Sequence, residues 1–162
     1  LTGRTFAVAL SEPNGVAAVA ASSATGLGSD YGLHWVDISN PASPRRIRTL
    51  AIPVQAVAEH RGRFFAGLRQ EIRILDVGTG GELGWFPTRT TVFGLRVAGD
   101  RLYVATEEGL EIHDIAAFPP RLLGWAATTD ALVGRAHEGD MVISQGILHA
   151  ATGRGYLTMD VS

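Results

Sequence analysis

Short apolar runs that alternate with polar residues at a spacing of two recur along the chain, and glycine, proline or charged pairs stop them before helical length. Four runs end alike. Gly-Leu-His-Trp-Val-Asp closes on Asp37, Glu-Ile-Arg-Ile-Leu-Asp on Asp76, Gly-Leu-Glu-Ile-His-Asp on Asp114 and Gly-Tyr-Leu-Thr-Met-Asp on Asp160. The aspartates stand 39, 38 and 46 residues apart, and a period between about 20 and 50 residues is the signature of a repeat architecture.

Twelve residues before the aspartate, Phe64, Leu102 and Leu148 each open a second apolar run. Just upstream lie the pairs Asn14-Gly15, Arg61-Gly62, Gly99-Asp100 and Gln145-Gly146. Glycine beside a short or polar residue between apolar runs marks a tight hairpin, because such turns need positive φ. Another alternating stretch precedes each turn, around Leu10, Val57, Leu95 and Met141, and a fourth strand follows the aspartate in three copies. Four short strands in about 40 residues is the arithmetic of a propeller blade. The expected fold is all-β: a β-propeller of four-stranded antiparallel blades, with blade 1 over 5–52, blade 2 over 53–87, blade 3 over 88–127 and blade 4 over 128–162, the last without its outer strand.

The stretch Gly32-Leu33-His34-Trp35-Val36-Asp37-Ile38-Ser39-Asn40-Pro41-Ala42-Ser43-Pro44 resembles the motif of the bacterial and archaeal LVIVD-repeat β-propellers, with weaker copies ending at Asp76, Asp114 and Asp160. The resemblance implies a propeller used mainly as an interaction scaffold, often secreted or at the cell surface, with no family-wide catalytic residues to carry over. Glu71 replaces the motif's first glycine in the second copy, and His113 stands at an apolar position in the third.

Composition narrows the function classes. At 162 residues with 46% apolar and 19% charged residues, the chain can bury a core without disulfides. Its formal net charge of −2 gives no footprint for a nucleic acid. All 14 basic residues are arginine, and the absence of cysteine excludes thiolate chemistry. No run approaches the ~20 apolar residues of a membrane-spanning helix. The start at Leu1, without methionine or a basic leader, fits a processed or excised product in which a signal peptide would not be visible.

The repeated aspartates Asp37, Asp76, Asp114 and Asp160 read as structural turn anchors, since a carboxylate at a strand end accepts N–H bonds from the following turn. Blades hold them apart around a ring, so no shared metal site is expected, and nothing in the sequence calls for a cofactor. No histidine pair has HExxH spacing and no G-x-S-x-G nucleophile elbow is present. Trp35, Trp85 and Trp125 are expected to fill the layers between sheets.

Departures from the repeat are more informative. Trp85 and Trp125 share a Leu-Gly-Trp triplet; Asp114 follows the first by 29 residues and Asp160 follows the second by 35, so six residues are inserted around 133–138. They bring Arg135, His137 and Glu138, followed by Asp140. The first copy carries extra residues over 22–29, within a glycine-rich stretch, 21–32, that holds Ser22, Ser23, Thr25, Ser29 and Asp30 and lacks the lysine of a phosphate loop and the acidic spacing of a calcium loop. With strands running alternately up and down, the second-to-third and inter-blade connections emerge on one face. Binding sites concentrate on loops held by a rigid scaffold. The expected function is therefore a non-enzymatic scaffold that binds a protein partner through that face. The alternatives are a hydrolase or lyase with His137 as general base, for which His137, Glu138 and Asp140 are the catalytic candidates, and a structural module with no ligand of its own. Because blade 4 ends after its third strand and residues 1–5 are too few to complete it, the chain is expected either to belong to a larger propeller or to close its ring with another chain. A closed four-bladed ring is the competing arrangement.

Overall fold

The computed structural model describes residues 4–22, 32–127, 141–152 and 155–161. These form four antiparallel sheets. Strands β1 (Arg4–Ser11), β2 (Val16–Ser22), β3 (Gly32–Asp37) and β4 (Arg45–Leu50) make the first, in that spatial order. The second holds β5 (Ala56–His60), β6 (Arg63–Gly67), β7 (Glu71–Asp76) and β8 (Glu82–Pro87), and the third β9 (Val92–Ala98), β10 (Arg101–Thr106), β11 (Gly109–Asp114) and β12 (Arg121–Ala127). The fourth holds three described strands, β13 (Met141–Ser144), β14 (Ile147–Thr152) and β15 (Gly155–Asp160).

The hairpins follow from their turn residues. Arg61 and Gly62, like Gln145 and Gly146, take positive φ in succession, the demand of a type I′ turn. In all four sheets the residue after the aspartate donates its backbone N–H to a carbonyl of the first hairpin: Ile38 to Gly15, Val77 to Gly62, Ile115 to Asp100 and Val161 to Gly146, at 2.8–3.0 Å. The repeat therefore encodes a tie between the first turn and the end of the third strand.

Both sides of the middle strands of sheets 2 and 3 are apolar because each of these sheets is packed on two neighbours. In sheet 2, Phe64, Ala66 and Leu75 join Ala18, Leu33 and Trp35 in the seam with sheet 1, while Phe65, Ile72 and Ile74 join Leu102 and Val104 in the seam with sheet 3. Tyr103, Leu110, Met141 and Leu148 fill the seam between sheets 3 and 4. Each fully buried side chain of this size contributes on the order of 2 kcal/mol of transfer free energy. Strands β1, β5, β9 and β13 lie innermost and adjoin in that order. The result is an arc of propeller blades that is not closed among the described residues.

The motif's first glycine has a steric cause. A Cβ at Gly32 would lie 2.1 Å from the Leu50 carbonyl oxygen, and one at Gly109 2.1 Å from that of Ala126. The end of the fourth strand crosses there, leaving no room for a side chain. In sheet 2 the equivalent residue, Glu71, pairs with Pro87 and lacks the positive φ of Gly32 and Gly109, so its side chain is tolerated.

Candidate functional site

Strand direction sorts the connections. Asp37 pairs with Val16 at the hairpin end of sheet 1, whereas Ala21 pairs with Gly32 at the other end. In sheet 3, Asp114 pairs with Arg121 at one end and Gly109 with Ala127 at the other. The connections 23–31 and 128–140 thus leave from strand ends opposite the aspartates. Ser23, Thr25, Ser29, Asp30, Arg135, His137, Glu138 and Asp140 themselves lie outside the described residues; Ser22 ends β2, where its backbone is opposite Arg4.

The aspartate end is occupied by structural bonds. Asp37 accepts from the Ser39 hydroxyl at 2.6 Å and the Ser39 N–H at 3.0 Å, with Arg45 at 3.5 Å. These bonds, the Ser39 hydroxyl foremost, hold its carboxyl below the usual carboxylate range. Asp76 accepts from the Thr79 N–H at 2.6 Å and the Thr79 hydroxyl at 2.8 Å, and these likewise lower its pKa, the backbone bond first. Asp114 accepts from the Ala116 N–H at 3.0 Å, and Asp160 is exposed at the end of β15. Neighbouring sheets are stitched on the same side: the Ser11 hydroxyl donates to Glu59 at 3.1 Å, His60 and Arg61 meet Asp100 at 3.1 and 3.0 Å, and Arg101 donates to the Val161 carbonyl at 3.0 Å.

At the hub, the inner strands surround a cavity of about 540 Å³, within the range of about 300–1,000 Å³ common for ligand pockets. Val8, Leu10 and Leu95 give it apolar walls, and Thr5, Gln55, Glu59 and Arg96 are its main polar side chains. Glu59 is engaged by Ser11 and by the Gly62 N–H at 2.9 Å. The sequence pattern did not reveal this cavity, because its walls are ordinary inner-strand residues that become a site only through the arrangement of sheets.

A buried polar cluster in the seam between sheets 2 and 3 was legible only in part. His113, singled out for breaking the apolar pattern, packs on Phe86 of sheet 2 with ring centroids 4.9 Å apart and faces Glu111 across 2.9 Å. Glu111 also accepts the Arg89 N–H at 2.7 Å, so its buried carboxylate fixes the link between β8 and β9. Among the described residues, the His113 Nδ1 and the Thr90 hydroxyl of that link are buried without a hydrogen-bond partner. Arg89 lies over the Trp125 ring at 4.2 Å. This cluster is two residues deep along one strand and reads as a seam device. Among the described residues no group of acidic and histidine side chains could hold a metal ion.

The tryptophans divide, correcting the expectation that all three fill layers between sheets. Trp35 does, donating to the Val77 carbonyl at 3.1 Å and meeting Phe64 edge-on. Trp85 and Trp125 are 56% and 40% exposed, because Leu-Gly-Trp belongs to the outer strands β8 and β12, where no further strand covers them.

Comparison with known proteins agrees with this architecture. The LVIVD repeat family matches residues 28–49, the segment of β3, its aspartate turn and β4. No protein of curated function matches the sequence. The computationally designed Ika4 protein is 15% identical, with a TM-score of 0.67 over 100% of this chain and 94% of its own. Sqt1 of Saccharomyces cerevisiae is 13% identical, with a TM-score of 0.68 over 99% of this chain and 46% of its own. The β-propeller domain of Cps50 (Swd1) from Myceliophteria thermophila is 13% identical, with a TM-score of 0.63 over 99% of this chain and 52% of its own. This chain thus spans about half the length of the two fungal chains, and at these identities the likeness concerns fold alone. The four sheets packed about a hub make this chain an open arc of β-propeller blades, and its segment 28–49 is similar to the LVIVD repeat family.

Proposed function

We propose that the protein is a non-enzymatic interaction scaffold that recognises a protein partner through the face bearing its two longest connections. The observation that carries this reading is the division of labour between the two ends of the sheets. One end is spent on aspartate turns and inter-sheet bonds, while the connections 23–31 and 128–140 leave from the other. On this reading Ser22, Ser23, Thr25, Ser29, Asp30, Arg135, His137 and Glu138 supply the contacts, on loops held by a packed framework. The exposed side chain of Trp85 adds apolar surface of the kind used in protein recognition. Export or cell-surface display is the setting the family resemblance favours; no helix among the described residues is long and apolar enough to cross a membrane.

The test is affinity capture with tagged protein, the captured partner being quantified by mass spectrometry. Combined Arg135→Ala, His137→Ala and Glu138→Ala, with residues 22–29 shortened, is expected to reduce capture at least tenfold at an unchanged melting temperature. Arg61→Ala, on the aspartate side, leaves capture intact. Equal capture by the loop variant would remove the assignment of this face. A hydrolase or lyase activity lost on His137→Ala in the folded protein would replace the scaffold reading with the enzymatic one.

A further inference from the structure

The hub cavity is lined by two opposite charges that do not meet. Glu59 of β5 and Arg96 of β9 both border it, and their strands adjoin. Glu59 spends its Oε1 on the Ser11 hydroxyl and the Gly62 N–H, and among the described residues neither its Oε2 nor the Arg96 guanidinium has a partner. Strand pairing sets their heights. Glu59 stands one pair in from the hairpin end of sheet 2 and Arg96 two pairs in from that of sheet 3, so they differ by one strand rise, about 3.4 Å.

The third wall is apolar. Strands β1, β5 and β9 adjoin in that order, and alternation along β1 sends Ala7 and Ala9 into the seam with sheet 2, leaving Val8 and Leu10 on the cavity, each 52% exposed. Leu10 is one pair in from its own hairpin, level with Glu59. The backbone supplies a second, independent observation. The register of β1 against β2 shifts between Thr5 and Ala7, and that of β9 against β10 leaves Phe93 without an opposite residue, whereas β5 pairs with β6 regularly. Both irregularities lie at the strand ends away from the hairpins, and Thr5, Ala7 and Phe93 line the cavity. Bulges occur preferentially beside sites, where they re-aim side chains.

We propose that the hub binds a small zwitterion, an amino carboxylate with an apolar side chain. Its carboxylate lies on the Arg96 guanidinium, whose planar fork fits two oxygens. Its ammonium group donates to the spare oxygen of Glu59. Its apolar body covers Val8 and Leu10, which removes their surface from water. A ligand with only one of the two charges would close the cavity over the other charge without pairing it, and an unsatisfied charged group out of water is costly. The site is built from inner strands, so it stands or falls separately from the loop face and its protein partner.

The probes are L-leucine and its two halves, 4-methylpentanoate and 3-methylbutylamine, each titrated into the 162-residue protein by calorimetry at neutral pH. Leucine is expected to bind saturably, one to one. Each half should bind about tenfold more weakly or worse, having lost a charge-assisted bond, and glycine should do the same for want of an apolar body. Arg96→Met, at an exposed side chain, should keep the melting temperature and reduce leucine to the affinity of 3-methylbutylamine. Glu59→Gln, which retains an oxygen for Ser11 and Gly62, should reduce it to that of 4-methylpentanoate. Three results would each overturn the proposal: leucine that fails to saturate the folded protein, 4-methylpentanoate that binds as tightly as leucine, or leucine binding indifferent to Arg96→Met.

Discussion

Asp37 and Asp76 hold their turns by the same means, a carboxylate that accepts a backbone N–H and a hydroxyl from the next few residues. Their folded pKa values lie below the unfolded ones. The stabilisation is therefore complete above the unfolded carboxylate range, near about pH 4, and is lost as the pH falls through the lowered folded values. Asp37→Asn with Asp76→Asn is expected to lower the melting temperature at pH 7 and to flatten its decline between about pH 4 and pH 2; a decline as steep as in the wild type would show that these carboxyls do not govern the acid limb. At this scale the sequence is legible where chemistry is local: Ser39 follows Asp37 by two residues and Thr79 follows Asp76 by three, and such pairs favour turns. Glu111 is not, because its partner Arg89 is 22 residues away and nothing in a strand of alternating residues says which side faces a neighbouring sheet.

At the scale of strands, the repeat repeats its irregularities as well. The outer strands β4, β8 and β12 each carry a bulge at the same register, leaving Ile47, Leu83 and Leu123 unpaired and about half exposed. Bulges blunt the edge of a sheet against further pairing, and sequence periodicity alone does not show them, since one extra residue looks like a lapse in alternation. Glycines can be ranked by what surrounds them. Gly62 has positive φ but open space around it, so Gly62→Ala should cost about 1–2 kcal/mol, the penalty for a left-handed residue. Gly109→Ala would drive a Cβ into the backbone carbonyl of Ala126, and neither strand can yield without losing its pairing. Urea denaturation should show the second variant to be the less stable by a clear margin. Equal midpoints would mean that the close approach of β12 to β11 is absent.

For the whole molecule, the hairpins and the repeat interval were enough to read four sheets, because a propeller is built from local units that contact only their neighbours. The hub cavity and the seam between sheets 2 and 3 emerge only when those units are assembled. The connections that departed from the repeat, 23–31 and 128–140, leave from the strand ends opposite the aspartate turns, and the scaffold reading stands on that placement. It is tested most directly by hydrogen–deuterium exchange of the protein alone and with its captured partner bound. Slowed exchange confined to the backbone around 22–32 and 127–141, with the aspartate turns 37–45, 76–82 and 114–121 unchanged, is the predicted result. Protection of those turns, with the two long connections exchanging as in the free protein, would contradict it.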